Sequence, residues 1–290
     1  MSRAGWHIGI IGGSGLAAGV GLEAAQELAV SSPFGAPSGP VTQGWLEGVR
    51  CSFLPRHGPG HTISPDAINT RANLDALKRC GVTDVVALCA IGSLNAAMAP
   101  GHFVAVDQFI DRTQGRANSF FGPGLVAHVS LADPTCPRLS AALADAAAAG
   151  GAVHRGGCYV AIEGPQFSTR AESRLYRQWG GDVIGMTAMP EARLAREAEL
   201  PYAVLGMVTD WDAWREEGDV AEVAAVLAVM AANVTRARDT LRRFLAALPD
   251  TRAPSPIDRA LDGAIMTAPG ARDAALMARL DAVAGRVLRG

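Results

Sequence analysis

The sequence predicts an α/β fold, one large domain in which helices flank a central mixed or mostly parallel β-sheet. Three observations carry this. Short β-branched and apolar runs alternate along the chain with segments of helical periodicity, as strands and helices would in turn. Hydrophobic residues make up 49% of the 290 residues and charged residues 19%, a balance that supports a sizeable core and argues against disorder. Glycines repeatedly follow an apolar run at once, where a strand would turn into a loop.

Taken in order, strands are expected at 5–12 (GWHIGIIG), 49–55 (VRCSFLP), 84–92 (DVVALCAIG), 102–109 (HFVAVDQF), 157–164 (GCYVAIEG), 182–186 (DVIGM) and 202–210 (YAVLGMVTD). Helices are expected between them at 64–81, 136–150, 168–180 and 189–200, with Ser168 as a cap. The longest helix should follow Asp219, with Glu222 three residues on as in a capping box. Val223, Val226, Leu227, Met230, Val234, Leu241 and Leu245 then form one stripe, read as core along most of its length. Residues 5–248 read as the main domain and the proline-containing 249–256 as a linker, with 257–290 a helical extension given no catalytic role.

The formal charge of -2 argues against a dedicated nucleic-acid binder, which would carry a basic face. The first apolar run is broken at once by glycines, so neither a signal peptide nor a membrane span fits. Five scattered cysteines lack zinc spacing and suggest a reducing compartment, hence a cytoplasmic protein.

Six segments could carry chemistry. In IIGGSGL, glycines after a strand let backbone N–H groups face an anion, and Ser14 adds a hydroxyl. Gly13, Gly15 and Ala18 also meet a loose dinucleotide fingerprint, but no second strand ends in an acid about 20 residues on. The nucleophile-elbow pattern fails at Leu16. In RHGPGH, Arg56 offers a planar fork for phosphate and His57 a second donor; a solvated surface loop is the bland alternative. Cys89 and Ala90 would turn backbone N–H groups to a ligand, or simply form a turn. In IEGPQFS, Phe167 would stack on a flat ring or pack in the core. In GMTAMP, Thr187 would supply a hydroxyl to an anion, and Met186 reads more readily as packing.

In TDWDAW, two acids end a strand, where ligands of α/β sheets bind. Strand alternation would send Asp210 and Asp212 to one side and Trp211 to the other. Close carboxylates repel, so one of the two can hold a proton near neutral pH. A helix cap or surface turn is the structural alternative. A metal pair competes too, but no His or Glu cluster completes it, so no metal is expected.

In sequence, the blocks GGSGL, RHGPGHTI, AIGSL, DQFIDRTQGRANSFF, HVSLADPTCP, IEGPQFSTRAES, GMTAMPEA and TDWDAW resemble the trimeric purine nucleoside phosphorylase superfamily, over roughly residues 8–248. Within it the chain is most similar to the branch acting on S-methyl-5'-thioadenosine. The resemblance implies phosphate binding by Ser14, Arg56, His57, Cys89, Ala90 and Thr187, with Met186 against the ribose and Phe167 over the purine. Asp210 and Asp212 would be the catalytic acids at the purine edge, with Trp211 beside them. His61, Val223, Val226 and Leu227 would surround the 5' substituent, and His128 would be donated by a neighbour in a homotrimer. Ser168 and Asp210 take the form associated with 6-aminopurines. Cys89 departs from the threonine common among relatives, and a thiol is the weaker donor.

The implied reaction is phosphorolysis of S-methyl-5'-thioadenosine to adenine and 5-methylthioribose 1-phosphate, with phosphate as co-substrate and no cofactor. Nucleoside phosphorolysis of inosine, guanosine or adenosine is the alternative within enzymes. A non-catalytic nucleoside-binding protein is the alternative outside them.

Overall fold

The structure is a computed structural model that describes residues 3–13, 16, 20–215 and 223–289, with side chains from 227 onward in the last long helix. Its centre is a mixed eleven-stranded sheet. Strand β5 (Asp84–Ser93) is the hub. Along one edge it pairs parallel with β1 (His7–Gly12), and along the other with β11 (Tyr202–Asp210). Beyond β1 the sheet runs through β4 (Val49–Pro55), β3 (Val41–Leu46) and β2 (Glu23–Leu28). Beyond β11 it continues through β6 (Phe103–Val106) to β8 (Val153–Arg155). At Gly92 and Ser93, opposite β11, β5 also pairs antiparallel with β10 (Val183–Gly185), which leads to β9 (Cys158–Ala161) and β7 (Gln108–Asp111).

Alternate residues of the hub enter two cores, because successive side chains of a strand face opposite ways. Val85, Ala87, Cys89 and Ile91 pack with α1 (Thr70–Arg79) and α4 (Ala188–Glu197). Val86 and Leu88 face α2 (Pro137–Ala148) and α5 (Val223–Ala247) on the other side. Covered on both faces, β5 and β11 read as continuous apolar runs rather than alternating ones.

The seven expected strands and five helices are present, with refinements. Segment 102–109 divides into β6 and β7. Ser168 is not the cap of α3 (Arg170–Gln178): Thr169 is, in a capping box with Glu172, because a threonine one residue later aligns with an acid three positions on. Strands β2, β3 and β8 have no counterpart in the sequence reading. The expected cap at Asp219 with Glu222 lies outside the described residues.

The α5 stripe is core only in part. Leu241 and Leu245 are buried and Val234 packs against the same cluster, but Leu227 is 56% exposed. With 25 residues α5 is about 38 Å long. The nine-residue β11 beside it spans roughly 30 Å, so the helix is the longer element.

The C-terminal segment contains α6 (Ala274–Arg279) and α7 (Gly285–Leu288). Leu261, Leu280 and Val283 enter the same core as α1 and α4. Ahead of them the Arg252 guanidinium holds fully buried Asp84 and the Asp258 carboxylate.

Candidate active site

Strands β1, β4, β5, β9, β10 and β11 bring their C-terminal ends to one cavity of about 400 Å³. This is where an open α/β sheet offers backbone groups and short loops to a ligand. Arg56, His57, His61, Cys89, Ala90, Phe167, Met186, Thr187, Asp210 and Asp212, drawn from five segments of the sequence, all line it.

At one end stand Arg56, His57, Cys89 and Thr187. Arg56 follows β4 and is almost wholly buried. Its Nε and Nη2 donate to the two oxygens of Glu191, both at 3.1 Å, and Nη1 donates to the Leu88 carbonyl at 3.0 Å. A guanidinium has five N–H groups, so one on each Nη stays uncommitted among the described residues. Glu191 is itself buried and accepts a third bond from the Tyr202 hydroxyl at 2.7 Å. The sequence reading missed Glu191. Glu191 is one of four charged residues among the ten of α4, so nothing local marked it as the one that burial leaves needing a cationic partner.

Cys89 Sγ lies 3.6 Å from Thr187 Oγ1. Burial pushes the Cys89 thiol up against the pull of Arg56, so it stays protonated at neutral pH. His57 stacks on His61 with ring centroids 4.3 Å apart. Burial lowers His57 to about 4, keeping the ring neutral, and its Nδ1 sits 2.9 Å from the Ile63 carbonyl. A carbonyl only accepts, so Nδ1 carries the proton and Nε2 offers a lone pair. The donor role expected of His57 is therefore corrected. The ring presents an acceptor, suited to a hydroxyl of an anion.

At the other end are the two acids. Asp210 closes β11 and accepts from the Thr209 hydroxyl at 2.7 Å and from Asp212 N at 2.8 Å. Alternation is not what joins them. The chain turns after Asp210, and Asp212 adopts a positive φ of 50° that folds its carboxylate back into the cavity. Gly92 makes room, since a Cβ there would stand 3.0 Å from Asp210 Oδ1. Burial raises the Asp212 carboxyl, Asp210 adds to the effect and a Ser173 hydroxyl opposes it. Asp212 Oδ2 is buried with no hydrogen-bond partner among the described residues.

Between the ends, Met186 and Phe167 flank the opening. Phe167 is 83% exposed, which removes core packing as its role. Leu16, Met207, Met230 and Val234 form an apolar wall. Met230 and Val234 lie on the α5 stripe, but Leu227 is not in the wall. The side chains of Val223 and Val226, and Ser14 entirely, lie outside the described residues.

Three further expectations fall elsewhere in this chain. Trp211 is not in the wall: it packs edge-on to Trp214, 6.1 Å between centroids, under the Arg215 guanidinium at 3.8 Å. The turn that brings in Asp212 rotates the indole away. Ser168 is outside the wall, with Oγ buried and without a hydrogen bond among the described residues. His128 is exposed and does not line the cavity of its own chain. Among the described residues no group of three His, Cys, Asp or Glu could hold a metal ion.

An anion end, an acidic end and an apolar wall at the strand termini define a site for an anion and a polar heterocycle together. The chain belongs to the phosphorylase superfamily, whose sequence pattern matches residues 7–246. It is 56% identical to the S-methyl-5'-thioadenosine phosphorylase of Cereibacter sphaeroides over 98% of this chain and 99% of the relative. It is 54% identical to that of Bradyrhizobium diazoefficiens, covering 98% of each chain. Among solved structures it resembles a methylthioadenosine phosphorylase from an antarctic soil metagenomic library. There the TM-score is 0.91 at 41% identity, covering 97% of this chain and 99% of the other. The Schistosoma mansoni methylthioadenosine phosphorylase in complex with adenine matches with a TM-score of 0.80 at 35% identity, covering 97% and 98%.

Proposed function

We propose that the protein cleaves the N-glycosidic bond of S-methyl-5'-thioadenosine with inorganic phosphate, releasing adenine and 5-methylthioribose 1-phosphate. The observation that carries this reading is the placement of Arg56, Cys89 and Thr187 across one cavity from Asp210 and Asp212. The relatives named for this reaction support it.

As the C1'–N9 bond lengthens, positive charge gathers on the sugar and negative charge on the purine. Phosphate, held by the uncommitted N–H groups of Arg56 and by Thr187, supplies negative charge beneath the sugar, and one of its oxygens then bonds C1'. His57 Nε2 accepts the phosphate hydroxyl. The departing purine takes a proton at N7 from Asp210. Asp212 stands beside Asp210, and burial raises its carboxyl. The second carboxyl accepts from the 6-amino group, which favours adenine over a 6-oxopurine. The wall of Leu16, Met207, Met230 and Val234 takes the methylthio group, because an unpaired hydroxyl buried there would be unfavourable.

No cofactor beyond phosphate is required. The active unit in this proposal is a cytoplasmic homotrimer in which His128 completes a neighbour's site. His128 is exposed beside Val126 and Met266, two exposed apolar residues joined by the bond from Met266 N to the Val126 carbonyl. All five cysteines are free thiols, which fits a reducing compartment.

Steady-state assays of methylthioadenosine, adenosine and inosine, with and without phosphate, test the reaction. Phosphate-dependent adenine release, fastest from methylthioadenosine, is expected. Faster turnover of inosine, or release without phosphate, would refute it. Sedimentation of the full chain tests the trimer.

A further inference from the structure

The loops that flank the opening of the cavity are joined by a residue that does not line it. Strands β9 and β10 pair only from Tyr159 with Val183 to Ala161 with Gly185, and the last link is Ile162 N to the Gly185 carbonyl at 2.9 Å. Beyond this point the ladder ends, and the two strands run into separate loops. One carries Pro165 and Phe167 into the wall, the other Met186 and Thr187. Where a ladder stops inside a protein, its next carbonyls need another donor.

Arg116 supplies it. This side chain, 7% exposed, enters from the long connection between β7 and α2. Its Nη1 donates to the Met186 carbonyl at 2.7 Å and to the Met189 carbonyl at 3.1 Å, while Nη2 donates to the Glu163 carbonyl. Nε lies 3.3 Å from the Glu163 carboxylate. One planar cation thus bridges the carbonyls of the two loops and one in the first turn of α4, which a single ammonium point charge would not reproduce.

The spacing it sets is tight. Gly164 has φ of +70°, and a Cβ there would lie 2.5 Å from Met186 Sδ, so the loops already touch beneath the opening.

We propose that Arg116 is a positioning residue that fixes the distance between the Phe167 loop and Met186, and thereby governs nucleoside binding without acting on phosphate. The inference rests on the reaction proposed above, in which these loops flank base and sugar. Arg56 and Cys89 are not among its partners, and Thr187 is reached only through the Met186 and Met189 carbonyls on either side of it, so the nucleoside should respond more strongly than phosphate.

The test uses the full chain with Arg116→Lys and Arg116→Ala. The Michaelis constant is measured for methylthioadenosine and for phosphate separately, and adenine binding is measured by calorimetry. The expected result for Arg116→Lys is a rise of at least tenfold in the nucleoside constant and in the adenine dissociation constant, with the phosphate constant within twofold of wild type. Arg116→Ala should exceed it, and should it not fold, the lysine variant decides. Equal rises for both substrates, or no change in the lysine variant, overturn the proposal. Failure of the wild-type chain to release adenine with phosphate would instead overturn the reaction on which it rests.

Discussion

Replacing Glu191 by glutamine tests the most buried electrostatic element of the site. Glu191 meets Arg56 through two bonds of 3.1 Å and takes a third from Tyr202 at 2.7 Å, with both charged side chains only 2% exposed. Glutamine keeps the shape but has one acceptor oxygen. Whichever way its amide lies, one Arg56 N–H faces another donor. A buried donor without a partner costs about 1–3 kcal/mol. Removing one member of a buried ion pair outright costs about 3–5 kcal/mol. An isostere that keeps one bond belongs near the overlap, so we expect a loss of about 3 kcal/mol. For a chain of this length each kcal/mol moves the midpoint by about 2 °C, so the melting temperature should fall by about 6 °C in phosphate-free buffer. Phosphate added during the melt should then stabilise Glu191→Gln more than wild type, since a dianion supplies the negative charge the guanidinium has lost. Thermal melts across a phosphate titration read both effects. A midpoint within 1 °C of wild type, or an equal phosphate response in both proteins (both thresholds on the scale of about 2 °C per kcal/mol), would refute the reasoning.

Cys89→Thr places a hydroxyl next to Thr187, and a hydrogen bond of about 1 kcal/mol should lower the phosphate Michaelis constant about fivefold; an unchanged constant would remove Cys89 from the anion end. Asp212→Asn should raise the melting temperature at pH 7 while abolishing most activity. Burial raises the folded-state carboxyl, so its contribution is fully present below the unfolded pKa and is lost as pH rises through the folded one. The gain should accordingly shrink toward pH 4, and a gain constant with pH would count against burial as the cause. His7 and His57 are both lowered from 6.5 to about 4, chiefly by burial. Their depressed values mean that the unfolded chain gains protons first, so stability is lost as pH falls from about 6.5 to about 4. Urea unfolding at pH 7, 5.5 and 4.5 reads this, and His57→Gln should flatten the dependence. Met230→Ala should raise the Michaelis constant for methylthioadenosine about tenfold, as loss of about 1.4 kcal/mol of apolar contact predicts. The constant for adenosine should change less, and equal changes would exclude Met230 from the 5' pocket.

Much of the site was legible because it lies at strand ends. Arg56, Met186, Thr187 and Asp210 each follow or close an apolar run, and in an α/β sheet those ends meet at one edge whatever the loops between them do. The hub strands and the helices were legible from period and composition, which act over a few residues. Strand β2 was not, since EAAQEL has helical propensity and is extended because it pairs with β3 at the sheet edge. Distant partners decided the rest. Glu191 finds Arg56 across 135 positions and Arg116 reaches Glu163, Met186 and Met189. A carbonyl at Ile63 decides which nitrogen of His57 bears the proton, and a positive φ turns Asp212 inward and Trp211 away. Residue type and local spacing determine which chemistry is available in each segment. Charge state, orientation and partner depend on burial and on long-range register, which exist only once the chain is folded.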